Sequence, residues 1–316
     1  GLTQRDFAIR LGTTAKNLSL IIRGEQSLST DIASKLSRMY GTSVKYWLNL
    51  QIEYDSLIAE FDSQKELEKE EEIFRQLDYK YFRDNFKLPD LSRKIDEQII
   101  ALRTFLNVSS LCIFTKKDLA TSFRSAKDRI SNVNTIKANI MVQIAINYAL
   151  KIQAPKFNKT AFDEAAKYAL TLTRNHTDFY NLIYNEFLKA GVIFIVLPNL
   201  SGSKINGATK KIGDNILLID RRMYSDTFWF TLFHEIGHIY NDDYGITFDF
   251  KKIGRETEDL ADKYAEDILI PPSCFSEFVD KGLFTAQAIQ IFADKIERDP
   301  GIVVGRLQKE ELIGYN

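Results

Sequence analysis

Histidine and cysteine are scarce in this chain of 316 residues, with three of the first and two of the second. Cys112 and Cys274 lie far apart, which excludes a disulfide framework and any CxxC metal site. No apolar run approaches the 18 residues of a membrane-crossing helix; the longest, VIFIVLP at 192–198, has the length of a strand. No segment has the pattern of a signal peptide. These absences point to a cytoplasmic protein with no membrane partner. Strong charge of one sign is also missing. The formal net charge is −1, so the chain as a whole is no polycation. What is present is a normal core-forming fraction, 45% hydrophobic residues, over a length sufficient for two or three domains. The chain starts with Gly1 instead of Met, which suggests that its N-terminus is incomplete.

Charge is distributed unevenly. Residues 1–50 carry seven Lys/Arg against three Asp/Glu, and EKEEE follows at 68–72. A basic module ahead of an acidic stretch points to an anionic partner for the first. The basic module is a series of short helices. TQRD (3–6) is a capping-box start, Phe7, Ala8 and Leu11 form its apolar face, and Gly12 ends it. Thr14 caps a second helix with Leu18, Ile21 and Ile22 inward and Gly24 as its stop. Ser29 or Thr30 starts a third with Ile32, Ala33, Leu36 and Met39 inward, closed by Gly41. Ser43 starts a fourth with Val44, Trp47 and Leu48 inward.

Two short helices around a tight glycine turn form the helix-turn-helix pattern. On that reading residues 14–23 enter the major groove of operator DNA. Lys16 and Asn17 can reach base edges or phosphates, Arg23 lies on the same arc, and Gln4 and Thr14 mark helix starts suited to phosphate binding. Dimerisation of such a module is a possible consequence. LTQRDFAIRLGTTAKNLSLIIRG resembles the Cro/repressor-type family, and GTSVKYWLNLQIEYD resembles its HigA-like antitoxin branch. The resemblance implies a further helix before Thr3.

Residues 51–155 form a helical middle region without a chemical motif. It holds a charged helix with a solvated face, a connector ending at KLPD (87–90), and the apolar set Val133, Ile136, Ile140 and Ile144 at helical spacing. The texture changes from 156 to 316. Helices at 160–173 and 178–190 lead into GVIFIVLP, and NGATKKIGDNILLID (206–220) forms two strands around a Gly213-Asp214-Asn215 turn. A helix then carries FHEIGHIY, another spans 256–269, and 285–312 is helical. The fold expected is mostly α with a small β-sheet (α+β), in three parts: 1–50, 51–155 and 156–316. Asn206–Lys210 is a candidate for holding an extended peptide by strand addition.

Two of the three histidines, His234 and His238, stand four apart around Glu235 in FHEIGHIY. Positions i and i+4 share a helical face, so both imidazoles can point at one metal ion, with Glu235 placed to act on water as a general base. A catalytic zinc needs a third protein ligand. No histidine follows His238, so the metzincin pattern is excluded and the ligand must be a carboxylate. RETEDLADKYAEDILIP (255–271) offers Glu256, Glu258, Asp259, Asp262, Glu266 and Asp267. Glu258 and Asp262 share a helical face; Glu258 could complete the metal site and Asp262 could orient a ligand imidazole. Glu256 is the rival ligand. His176, in TRNHTD, is left unassigned.

GVIFIVLPNLSGSKINGATKK, FWFTLFHEIGHIYND and ETEDLADKYAEDILIP together resemble the ImmA/IrrE metallopeptidase family over about 160 C-terminal residues. The resemblance implies a gluzincin-like, zinc-dependent endopeptidase that cuts a helix-turn-helix repressor or toxin encoded by a mobile-element, toxin–antitoxin or stress locus. It assigns His234, His238 and Glu258 as ligands and Glu235 as acid/base. Leu260 departs from the family, in which many members have glutamate at that position. The alternative function is a HigA-like antitoxin or repressor whose metal site is structural or sensory.

Overall fold

The computed structural model describes residues 3–116, 131–203, 205–221, 225–248 and 256–314. Contacts divide the chain into two units, Gly1–Lys69 and Glu70–Asn316. The division at 69/70 differs from the three-part organisation expected at 50/51 and 155/156. Residues 70–155 group with the C-terminal part because they contribute to its interior.

In the first unit, α1 (Gln4–Leu11), α2 (Ala15–Ile22) and α3 (Thr30–Tyr40) are followed by α4 (Val44–Phe74), whose last five residues fall past the 69/70 boundary. Local signals set each boundary. Thr3 and Asp6 close a capping box, Thr14 Oγ1 accepts from Asn17 N–H at 3.1 Å, and Ser29 Oγ accepts from Ile32 N–H at 3.3 Å. Gly12 and Gly41 end α1 and α3 in the left-handed conformation, at φ 66° and 64°. The Lys35 ammonium donates to Gly12 O at 2.9 Å and so ties α3 to the helix-turn-helix turn. Ala8, Leu11, Leu18, Ile32 and Leu36 make the small core, with Phe7, Ile21 and Trp47 packed on it.

Two inward assignments fail in this unit: Ile22 is 65% exposed and Met39 38% exposed. Each lies in the last turn of its helix, past the point where three short helices converge.

In the second unit, α5 (Tyr79–Phe86), α6 (Ile95–Leu106) and α7 (Asn132–Ala149) precede α8 (Lys159–Thr171) and α9 (Phe179–Lys189). The strands are β1 (Val192–Leu197), β2 (Ile205–Ile212), β3 (Asn215–Arg221) and β4 (Ile246–Phe248). Helix α10 (Ser225–Tyr240) runs between β3 and β4. Helices α11 (Glu256–Leu269), α12 (Pro272–Asp280), α13 (Ala286–Lys295) and α14 (Pro300–Lys309) complete the unit. The fold is mostly helical with one small mixed sheet, an α+β arrangement. Strand order is β1-β3-β2-β4, with β1 parallel to β3 and the other pairings antiparallel. Ile136, Ile140 and Ile144 of α7 are buried as expected. Thr135, Asn139 and Met141 are buried as well, so α7 is enclosed on more than one face.

The acidic run at 68–72 is not uniformly solvated. Glu70 is fully buried, accepts from Leu111 N–H at 2.5 Å, and lies 3.4 Å from the Arg103 guanidinium. A buried carboxylate needs such partners to offset its desolvation. The expected strand addition at Asn206–Lys210 is also corrected. β2 is an inner strand, paired with β3 on one side and with β4 on the other. Its backbone hydrogen-bonding groups there are largely taken.

Phe162, Phe187 and Phe194 bring α8, α9 and β1 into one apolar cluster with Trp229, Phe233 and Ile236 of α10. Helix α10 therefore buries its hydrophobic face in the main core, which fixes the rotation of its histidine face.

Candidate metal centre

The geometry of the site is set first by a close helix crossing. Gly237 on α10 lies against Ala261 and Tyr264 of α11; a Cβ on Gly237 would stand 3.1 Å from Ala261 Cα and 3.2 Å from Tyr264 Cδ1. Glycine in a helix interior costs up to about 1 kcal/mol relative to alanine. Here it permits the approach that carries Glu258 and Asp262, on the adjoining turns of α11, to the two histidines.

Three donor groups converge, those of His234, His238 and Glu258. The two Nε2 atoms are 3.0 Å apart. Glu258 Oε2 is 3.4 Å from His234 Nε2, and Oε1 is 3.6 Å from His238 Nε2. The outer nitrogen of each ring is turned to another carboxylate. His234 Nδ1 is hydrogen-bonded to Asp262 Oδ1 at 2.8 Å, and His238 Nδ1 lies 3.0 Å from Asp243 Oδ2. An ionised carboxylate only accepts, so Nδ1 carries the hydrogen and the lone pair of a neutral ring falls on Nε2. Two lone-pair nitrogens and a carboxylate facing one another at these distances repel unless a cation lies among them. Glu258 Oε1 is buried without a hydrogen-bond partner, as suits an atom reserved for a cation. Ligand atoms about 2.0–2.1 Å from a tetrahedral zinc stand roughly 3.3–3.4 Å apart, close to the separations found. The residues present fit a zinc ion.

The surroundings of His234 favour its protonated form. Burial disfavours a charged His234, but the hydrogen bonds to Asp262 and Glu258 and the charge of Glu235 outweigh it. They raise its pKa to about 9. Metal binding at such a ring would displace that proton.

Glu235 is fully buried and does not belong to the ligand cluster. Its carboxylate lies against Gly207 of β2, where a Cβ would be 2.6 Å from Glu235 Oε1. A register shift between Ile205 and Gly207 interrupts the β2–β4 pairing at the point where β2 meets the glutamate. Asp262 is held in turn: Lys309 Nζ lies 3.5 Å from its Oδ2 and 2.6 Å from Glu266 Oε1, and Arg306 pairs with Glu266 at 2.9 Å. A cleft of about 230 Å³ opens beside this network, walled by Phe230, Leu269, Ile302 and the Lys309 stem.

Glu258 is the carboxylate that meets the histidines, and Asp262 is the one that orients His234. The rival Glu256 is exposed and outside the cluster. His176 is paired with Asp299 at 3.3 Å and takes no part. Asp243 was not found from the sequence. It lies beyond the end of α10 and is turned back by Asp242, which adopts the left-handed conformation at φ 52°. The only available signal was a carboxylate in the NDD run that follows the helix.

In the first unit, Gln4, Thr14, Lys16 and Arg23 are exposed. Arg23 is paired with Glu25 at 3.2 Å. Asn17 is half-buried and its amide nitrogen donates to Thr13 Oγ1 at 2.9 Å, so that end of the side chain is engaged within the protein. Leu20 is half-buried.

Residues 1–47 match a helix-turn-helix family, HTH_3. The chain is also 33% identical over 64 residues to virulence-associated protein I of Dichelobacter nodosus, a match covering 20% of this chain and 59% of that protein. No solved structure matches. The N-terminal module is thus a helix-turn-helix domain of the kind that binds DNA in transcription regulators. Among the described residues, no helix is long and apolar enough to cross a membrane.

Lys16 is exposed at the second position of α2, where the sequence places a DNA contact. Lys16→Ala is expected to weaken binding by a similar factor on every sequence. The slope of log affinity against log salt should fall by about one, as for the loss of a single phosphate contact. Titration of labelled duplex DNA at several salt concentrations would show it. An unchanged slope would remove Lys16 from the interface.

Proposed function

We propose that this chain is a cytoplasmic DNA-binding regulator whose second unit is a zinc-dependent endopeptidase, cutting a helix-turn-helix repressor or a toxin encoded at its own locus. The observation that carries this reading is the division of labour at α10. Two imidazoles and Glu258 converge on one point, while the intervening Glu235 is held apart against Gly207. A site that only stabilises the fold has no need of that fourth, separately positioned carboxylate.

When bound, zinc would polarise a peptide carbonyl and acidify water. His234, His238 and Glu258 would hold it, and Asp262 and Asp243 keep the two rings in the tautomer and orientation that present Nε2. Glu235 would take a proton from the attacking water and return it to the departing amine. The surrounding apolar core, with Phe233 and Ile236 fully buried beside the histidines, excludes bulk water from the far side of α10.

Wild type should hold one zinc per chain, and His234→Ala and Glu258→Gln should lose most of it. Metal analysis after dialysis against a weak chelator measures this directly. Full zinc retention by Glu258→Gln would exclude Glu258 as a ligand. A second reading, an antitoxin-like repressor with a structural or sensory metal, draws on the helix-turn-helix match and requires no cleavage.

A further inference from the structure

Fifteen consecutive residues of α4, 52–66, are exposed. Over about four turns this helix buries no face, although a lone helix of that length is marginal in water. It nevertheless carries a stripe of large apolar side chains. Leu50, Tyr54, Leu57 and Phe61 recur at spacings of four, three and four, the a/d pattern of a coiled coil, with Ile58 beside them. Leu57 is 61% exposed and Phe61 60%. Solvated helices do not normally place aromatic and branched side chains in one seam.

We propose that this seam pairs with the same seam of a second copy, in parallel, to form a dimer that fixes the spacing of the two helix-turn-helix modules. Flanking charges select the partner and its direction. With Leu50 and Leu57 at d and Tyr54 and Phe61 at a, Glu53 and Glu60 occupy g positions and Lys65 an e position. In a parallel pair, Glu60 of one copy meets Lys65 of the other. In an antiparallel pair, the glutamates of the two copies face each other. Parallel pairing also leaves both modules at one end, as required to read two half-sites on one face of DNA. The seam is joined directly to α2: the Tyr54 hydroxyl stands 2.7 Å from where a Cβ on Gly24 would be, at the end of the recognition helix. Two copies closing this stripe bury on the order of 1,000 Å² in all, the lower bound for a specific interface, so dimerisation should depend on concentration.

The test is solution mass by sedimentation on the whole chain across a concentration series. Wild type should move from 36.4 kDa towards twice that value as concentration rises. The doubly substituted Leu57→Glu/Phe61→Glu chain should stay at the lower mass with its helical circular dichroism unchanged. Wild type that remains monomeric throughout overturns the proposal, as does a dimer that survives the double substitution. Direction is read by cross-linking in a Cys112→Ser/Cys274→Ser background. Leu50→Cys should form a covalent dimer on mild oxidation, because in-register d positions are close enough for a disulfide. If Leu50→Cys fails to cross-link, but a mixture of Leu50→Cys and Phe61→Cys chains does, the parallel arrangement is wrong.

Discussion

Glu235→Gln is expected to keep zinc, fold and DNA binding and to lose cleavage of the partner protein. Glutamine preserves the size of a side chain that is fully buried against Gly207, so the packing between α10 and β2 need not change. The ligand set is untouched, because Glu235 lies outside the cluster formed by His234, His238 and Glu258. What disappears is the capacity to accept a proton, and removal of a positioned general base typically costs about 10²–10⁴ in rate. Co-expression with the repressor or toxin of the same locus, under conditions that induce the locus, followed by a search for a discrete fragment, would measure it. Zinc content and duplex binding of the same variant are the controls. Equal regulation by wild type and Glu235→Gln, with no fragment from either, would favour the antitoxin-like reading.

Local signals made the helix-turn-helix unit and the histidine helix readable from residues alone. Capping at Thr3, Thr14 and Ser29 and termination at Gly12 and Gly41 are written within four residues of each boundary. The i, i+4 logic that placed His234 and His238 on one face also placed Glu258 and Asp262 on another. The side chains misjudged are those whose environment is set at long range. Ile22 and Met39 belong to apolar stripes, but periodicity does not say how far along a helix its neighbours reach. Glu70 sits in a run that looks solvated, yet its partners, Leu111 N–H and Arg103, are more than thirty residues away. Asp243 approaches His238 only because Asp242 takes a backbone conformation uncommon for a residue with a side chain. The role of Gly207 was invisible for the same reason. It stands 28 positions before Glu235, and the sheet brings the two together.

Gly207→Ala therefore offers a test of whether the sheet sets the position of Glu235, the base of the proposed reaction. The added methyl would lie 2.6 Å from Glu235 Oε1, 2.7 Å from Cγ and 2.9 Å from Cδ, closer than a Cβ can be accommodated without movement. The atoms met are the far end of a flexible side chain, so the contact would be relieved by moving the carboxylate away from β2. Because a side-chain end and not backbone gives way, the loss of stability is expected at the low end of the roughly 1–3 kcal/mol typical of overpacking. A displacement near 1 Å at a catalytic group costs about 10² in rate. Gly207→Ala is thus expected to bind zinc normally and to cleave about a hundredfold more slowly. Stability provides a readout independent of catalysis. If the clash is with Glu235, the destabilisation by Gly207→Ala should largely vanish in a Glu235→Ala background, where the shortened side chain leaves room for the methyl. A double-mutant cycle on denaturant midpoints isolates that coupling. Additive losses would show that Gly207 serves the backbone at the β2–β4 register shift instead of the carboxylate. The reduced cleavage would then reflect a distorted sheet.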